Sequence, residues 1–155
     1  MIKPAITGSG VFTPENIITN DELVVAFNAY ADRVNADNAD AIAAGTAEAM
    51  PQSSADFIQS ASGIEQRYVM DKDGVLDPSR MFPRLRARDD DAPSIMAEMA
   101  VDAITKALAQ SGRDASEVDL VICAASNHER AYPAIAVEIQ KLIGAGGFAF
   151  DMNVA

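Results

Sequence analysis

Few side chains in this sequence are natural nucleophiles or metal ligands: there is one Cys, Cys123, and one His, His128. Cys123 lies inside the apolar run Leu120-Val121-Ile122-Cys123-Ala124-Ala125, where burial raises a thiol's pKa and hides it. It reads as core and not as a nucleophile. His128 belongs to the polar loop Asn127-His128-Glu129-Arg130. With no second His and no Cys nearby it cannot complete a metal site, which normally takes three or four ligands. A solvated loop residue is the leading reading, a bond to a substrate or partner subunit the other. Arg80, Arg84, Arg86 and Arg88 form the one cationic cluster in an acidic chain. Such a patch could dock an acidic partner, but pairing with the adjacent Asp89, Asp90 and Asp91 weighs more. Tyr132, just before Pro133, could anchor an interface or staple onto the helix that follows, and the two readings balance. Gly8-Ser9-Gly10 is no dinucleotide fingerprint, because Thr13 stands at the third glycine position and no helix opens at the right point.

The elements that must position these residues follow from periodicity and punctuation. Ala5–Phe12 reads as a short first strand, followed by a turn at Thr13-Pro14-Glu15-Asn16. Thr19 and Glu22 have capping-box spacing, and a helix over Asn20–Arg33 places Leu23, Val24, Phe27 and Tyr30 along one side. Residues 34–51 are rich in Ala, Asn and Asp and carry a second, weaker helix over Ala39–Met50. Ser53 or Ser54 caps a short helix that stops at Ser62-Gly63, and Ile64–Met70 alternates as a strand. The stretch 71–93 reads as a long loop with turns at Asp73-Gly74 and Asp77-Pro78. Ser94–Ser111 has clear helical spacing and a glycine stop at Gly112. Leu120–Ala125, with no alternation, is the pattern of a strand covered on both faces. Pro133 suits the first turn of a helix carrying Ile135, Ile139, Leu142 and Ile143, with a stop at Gly144. Gly147–Met152 is a further strand. This succession predicts an α/β architecture with covered strands.

The 155 residues are 49% hydrophobic and 23% charged, as suits a soluble globular domain. A net charge of −11 argues against nucleic acid and against an anionic membrane surface. No signal-peptide core and no membrane-spanning run stands out. One Cys leaves no internal disulfide, so the expected location is cytoplasmic. The sequence stops at Asp151-Met152-Asn153-Val154-Ala155, inside a strand, which predicts that residues completing the domain follow.

Three stretches together resemble the β-ketoacyl-acyl-carrier-protein synthase III family. They are Ser62-Gly63-Ile64-Glu65-Gln66-Arg67-Tyr68, then Val118 through Ser126 leading by Ala131-Tyr132-Pro133 to Ile139-Gln140, and last Phe148-Ala149-Phe150-Asp151-Met152-Asn153-Val154-Ala155. The resemblance implies a thiolase-like five-layer α/β/α/β/α fold. Residues 1–155 would be its N-terminal part, most of the first half, with a helical insertion around 34–56. The nucleophilic Cys is then expected directly after Ala155. Its His and Asn helpers would lie in the second half, so no catalytic side chain is assigned within 1–155.

The implied reaction is a decarboxylative Claisen condensation of an acyl thioester with malonyl-acyl-carrier protein, in fatty-acid or related acyl-chain synthesis. It needs no cofactor and no metal beyond the coenzyme A or carrier-protein thioesters that serve as substrates. Implied partners are the C-terminal remainder beginning with Cys, a second copy of the completed subunit, and acyl-carrier protein, for which Arg80, Arg84, Arg86 and Arg88 would be the docking patch. Tyr132 falls where the family has an aromatic residue reaching across the dimer to the partner's acyl pocket. Phe57 and Ala61 replace a Trp and an Arg that hold the adenine end of coenzyme A; Phe57 can still stack, but Ala61 cannot pair with a phosphate. Other readings are a polyketide or hydroxymethylglutaryl-type synthase of the same superfamily, or a non-catalytic half-subunit that stabilises a complementary chain.

Overall fold

The computed structural model describes residues 3–153; Val154, Ala155 and the Cys expected beyond them lie outside the described residues. The chain divides into two compact units, one of Thr13–Ala87 and one of Met1–Phe12 with Arg88–Ala155.

In the Thr13–Ala87 unit, β1 (Asn16–Thr19) leads directly into α1 (Asn20–Asp37). The expected capping box is present: Glu22 N–H donates to Thr19 Oγ1 at 3.2 Å, and Thr19 N–H donates to Glu22 Oε2 at 3.0 Å. Two short helices follow, α2 (Ala39–Ala43) and α3 (Ala55–Ser62), and then β2 (Gln66–Val69) pairs antiparallel with β1. The expected turn is thus followed, before the helix, by a strand that the sequence did not predict, with Ile18 fully buried and β2 supplying the ladder. Ser54 caps α3, as one of the two candidates, and Gly63 ends it.

α2 is much shorter than the helix expected over Ala39–Met50. The reason is a pair of asparagines on α1 that hold the following segment extended. Asn28 Oδ1 accepts from Ser53 N–H at 2.9 Å while its Nδ2 donates to Ser53 O at 3.1 Å. Asn35 treats Met50 in the same way, at 2.7 and 3.0 Å. Backbone engaged by those amides cannot also close helical turns.

The stretch expected as loop 71–93 contains α4 (Lys72–Leu76), because Asp71 acts as an N-cap and accepts from Gly74 N–H at 3.2 Å. Gly74 is therefore a buried helical residue and not a turn residue.

In the other unit, α5 (Ile95–Ser111) is capped by Ser94 and stopped by Gly112. A 3-10 turn at Ala115–Glu117 precedes β3 (Leu120–Ala125), then come α6 (Ile135–Ile143) and β4 (Phe148–Asn153). β3 and β4 are parallel neighbours, so α6 is the crossover between them. Val121, Ile135, Ala136 and Ile139 pack with Ala97 of α5 to form the core. Gly147 makes the tight entry to β4: its φ is +71°, and a Cβ there would sit 1.9 Å from Asp119 O.

Three expectations need correction here. Ala5–Phe12 is not a strand; no described strand pairs with it, and it runs as irregular chain along α5. Ser9 N–H donates to Gln110 Oε1 at 2.6 Å, and Gly10 lies so close to α5 that a Cβ would meet Ala103 O at 2.0 Å. Pro133 lies before the first turn of α6, whose N-cap is Ala134. β3 is covered on one face only. Val121 and Ala125 are buried, whereas Leu120 and Ile122 are open and stand beside Phe148 and Phe150 of β4 on the same face. No described helix is long and apolar enough to cross a membrane.

Several carboxyls are held below the usual carboxylate range by specific donors. For Glu22 these are chiefly Lys72 and then the Thr19 backbone; for Asp71 the backbone N–H groups of Arg84 and then Gly74; for Asp77 the hydroxyl and then the backbone N–H of Ser79. A depressed folded-state pKa means that the unfolded chain binds more protons on acidification, so this stability is present above the unfolded value and lost as pH falls through the folded one. The melting temperature is therefore expected to be level above about pH 5 and to fall below about pH 4. A thermal melt followed by circular dichroism across pH 3–7 checks this, and a chain more stable at about pH 3 than at pH 5 would contradict it.

Candidate active-site edge of the parallel strands

In α/β structures the carboxyl ends of parallel strands are where loops converge to bind ligands. Here that edge joins the end of β4, the loop 126–131 after β3, and the start of α6. The side chain of Asp151 leaves β4 on the face covered by helices and meets the first turn of α6. Its Oδ2 accepts from Ile135 N–H and its Oδ1 from Ala136 N–H, both at 2.8 Å. Ala134, the N-cap residue, offers no side-chain acceptor of its own. A carboxylate supplied from the neighbouring strand thus fills the role, favoured by the positive end of the helix dipole.

His128 reaches the same carboxylate, with Nε2 at 3.7 Å from Asp151 Oδ2. Ser126, Asn127, His128, Glu129, Arg130 and Asp151 line an open cleft of about 840 Å³. His128 remains an exposed loop residue that lies near the strand end.

Two more carboxylates brace the edge. Glu129 Oε1 accepts from Met96 N–H at 3.0 Å in the first turn of α5. Glu138, only 9% exposed on the inner face of α6, accepts from the Ser94 backbone N–H at 3.0 Å and from the Ser94 hydroxyl. Arg130 supplies the compensating charge, with Nε at 3.6 Å from Glu138 Oε1. Its other nitrogens donate to Ala92 O at 2.9 Å and Asp90 O at 3.3 Å, strapping the approach to α5 onto the loop.

Sequence reasoning missed Asp151, Glu129 and Glu138 as bracing groups. Two carried a usable signal: Asp151 interrupts an apolar strand, and Glu138 stands between Ile135 and Ile139 on an apolar helix face. A charge in such a place needs partners.

The residues singled out from sequence fare differently. Tyr132 is 88% exposed, so the staple onto α6 is not formed; its ring borders a groove with Pro133, Val137, Lys141 and Leu142. Phe57 lies on α3 in the Thr13–Ala87 unit and is 64% exposed. The arginines do not pair with Asp89, Asp90 and Asp91 as expected. Arg84 pairs with Asp77, Arg88 makes a two-pronged pair with Glu98, and Arg80 lies over the Phe82 ring at 5.0 Å. The carboxylates that do pair stand on ordered elements, Asp77 at the end of α4 and Glu98 in the first turn of α5. Among the described residues Arg86 has no ion-pair partner. No cluster of three or more metal-ligating side chains occurs among the described residues.

Comparison with known proteins gives this edge a context. The chain is 52% identical over 130 residues to a β-ketodecanoyl-[acyl-carrier-protein] synthase of Pseudomonas aeruginosa, covering 84% of this chain and 37% of that protein. It is 31% identical over 156 aligned residues to a β-ketoacyl-[acyl-carrier-protein] synthase III of Granulibacter bethesdensis, covering 100% of this chain and 35% of that protein. This chain is a homologue of part of the β-ketoacyl-acyl-carrier-protein synthase III family. Among solved structures, the synthase III of Aquifex aeolicus superposes with a TM-score of 0.60 at 22% identity, over 97% of this chain and 34% of that one. The fold is therefore thiolase-like α/β. No protein-family model matches the chain. The chain spans a little over a third of the length of the synthase III relatives it matches.

Within this synthase III homologue Cys123 stays a core residue. It is partly buried opposite Asp151 on the paired strand, and burial first, then the negative charge of Asp151, pushes its thiol pKa up. Alkylation of Cys123 by iodoacetamide at pH 8 is expected to run about tenfold slower than that of a free cysteine. Peptide mapping by mass spectrometry reads the rate, and modification as fast as the free amino acid would refute the assignment.

Proposed function

We propose that this chain is part of a condensing acyltransferase that joins an acyl thioester to malonyl-acyl-carrier protein by decarboxylative Claisen condensation. The observation that carries the reading is the 52% identity over 130 residues to the Pseudomonas β-ketodecanoyl synthase. In the reaction, a Cys thiolate attacks the acyl thioester, the carrier's thiolate leaves, and the acyl group is held covalently. Loss of carbon dioxide from the malonyl thioester leaves a carbanion, which attacks the acyl-Cys carbonyl. The C–C bond forms as the Cys sulfur leaves, and the product is a β-keto thioester. The nucleophile and its His and Asn helpers belong to the remainder of the protein. Residues 1–155 supply the strand edge that carries the chain toward the nucleophile, and the braces that hold that edge.

The same relative suggests the primer. A β-ketodecanoyl product has ten carbons, so two-carbon extension starts from an eight-carbon acyl group. This fits Ala61, which offers no cation for the phosphate of coenzyme A. Phe57, open to solvent, can still stack on the adenine of a coenzyme A primer. Tyr132, more open still, is assigned to the interface of a homodimer in which it reaches the partner's acyl pocket. Of the four arginines offered to an acidic carrier protein, Arg86 is the one whose charge is not already paired or stacked among the described residues. The working location is the cytoplasm.

The protein completed by its remainder is expected to convert octanoyl thioester and malonyl-acyl-carrier protein to β-ketodecanoyl-acyl-carrier protein, with release of carbon dioxide. Product analysis by mass spectrometry checks this, and absence of any β-keto product across acyl groups from acetyl to decanoyl would overturn the reading. In the same assay Arg86→Glu is expected to raise KM for the malonyl carrier by about three- to tenfold with kcat little changed.

A further inference from the structure

Resting on the reading above, we propose that Asp151 is a positioning residue: it locks the end of β4 to the start of α6 and so holds the strand end at the edge of the cleft in one register. Four observations support it. Both carboxylate oxygens are used, one on Ile135 N–H and one on Ala136 N–H, which fixes the plane of the carboxylate as well as its distance. α6 has no side-chain cap of its own, so this link is not redundant. Asp151 faces the covered side of the sheet, whereas Phe150 and Met152 face the open side. A slip of β4 by one residue would expose the carboxylate and bury an aromatic ring in its place, so the link also pins register. His128, in the loop after β3, lies against the same carboxylate, so the ends of both parallel strands converge on one group.

A cap that served only helix stability would more simply be a Ser, Thr or Asp at position 134 itself. Taking the cap from β4 does something a local cap cannot: it ties the strand to the helix across the cleft. Asn at 151 cannot replace it, because one of its two terminal groups is a donor and would confront a backbone N–H.

The test separates capping from positioning. Three forms of the completed protein are compared: wild type, Asp151→Asn, and the double variant Ala134→Ser with Asp151→Asn, in which a local cap replaces the lost one. Expected for Asp151→Asn is a lowered melting temperature. In the double variant the melting temperature returns, while kcat for condensation stays down by about tenfold or more and KM remains within about twofold. If kcat returns with the local cap, or never falls in Asp151→Asn, the positioning role is wrong. A second readout does not depend on the reaction: deuterium uptake of peptides covering 148–153 is expected to be faster in the double variant than in wild type, and equal uptake overturns the inference. An inactive wild type would overturn the proposed function, and deuterium uptake alone would then decide whether Asp151 pins the strand end.

Discussion

The unit that carries the candidate site depends on one packing contact, the burial of Ile135, Ala136 and Ile139 of α6 against Val121 of β3 and Ala97 of α5. Two parallel strands cannot be joined by a short turn; they need a crossover, and the crossover must bury its own apolar face to stay put. α6 does this with about two and a half turns of helix. Its short length explains why polar braces gather around it. Asp151 completes its N-terminus, Gly144 ends it, and Glu138 ties its inner face to the cap of α5. Apolar burial sets the general placement, and the carboxylates fix the remaining freedom to slide or rotate.

Much of this was legible in the sequence wherever the signal is local. The Thr19–Glu22 box, the Ser54 cap as one of two candidates, and the glycines at 63, 112 and 144 depend on a few adjacent residues, and the structure has them in place. What was not legible depends on partners distant in sequence. Ala5–Phe12 has strand-like composition but no described strand beside it, while Asn16–Thr19 has turn-like neighbours and a ladder to β2. The apolar run Leu120–Ala125 states only that the strand can be covered on both faces, not that both covers are present within these residues.

The site was legible only in outline. The stretch from Val118 to Gln140 and the end of β4 carry the family resemblance, and the cleft is built from those segments. The groups that hold it together were passed over, because Asp and Glu are common and each looks like solvated surface until a backbone N–H is found opposite. Tyr132 and Phe57 were visible as aromatic residues in unusual places, and their exposure is what a surface meeting another molecule would show. The proposed chemistry and the observed braces agree in one respect: a condensing enzyme must hold its reacting carbons to within fractions of an ångström, and charge-assisted bonds to backbone are a direct way to do so.

The clasp on α1 has a further consequence for how this chain can change over generations. Asn28 and Asn35 grip Ser53 and Met50 through peptide groups alone, donor to acceptor and acceptor to donor. Every non-proline residue presents that same pair of groups. The two asparagines are thus blind to which side chains occupy the gripped segment. The connection between α2 and α3 can drift in composition while its path is kept, with selection falling on two amides of α1 and leaving the held positions nearly unconstrained.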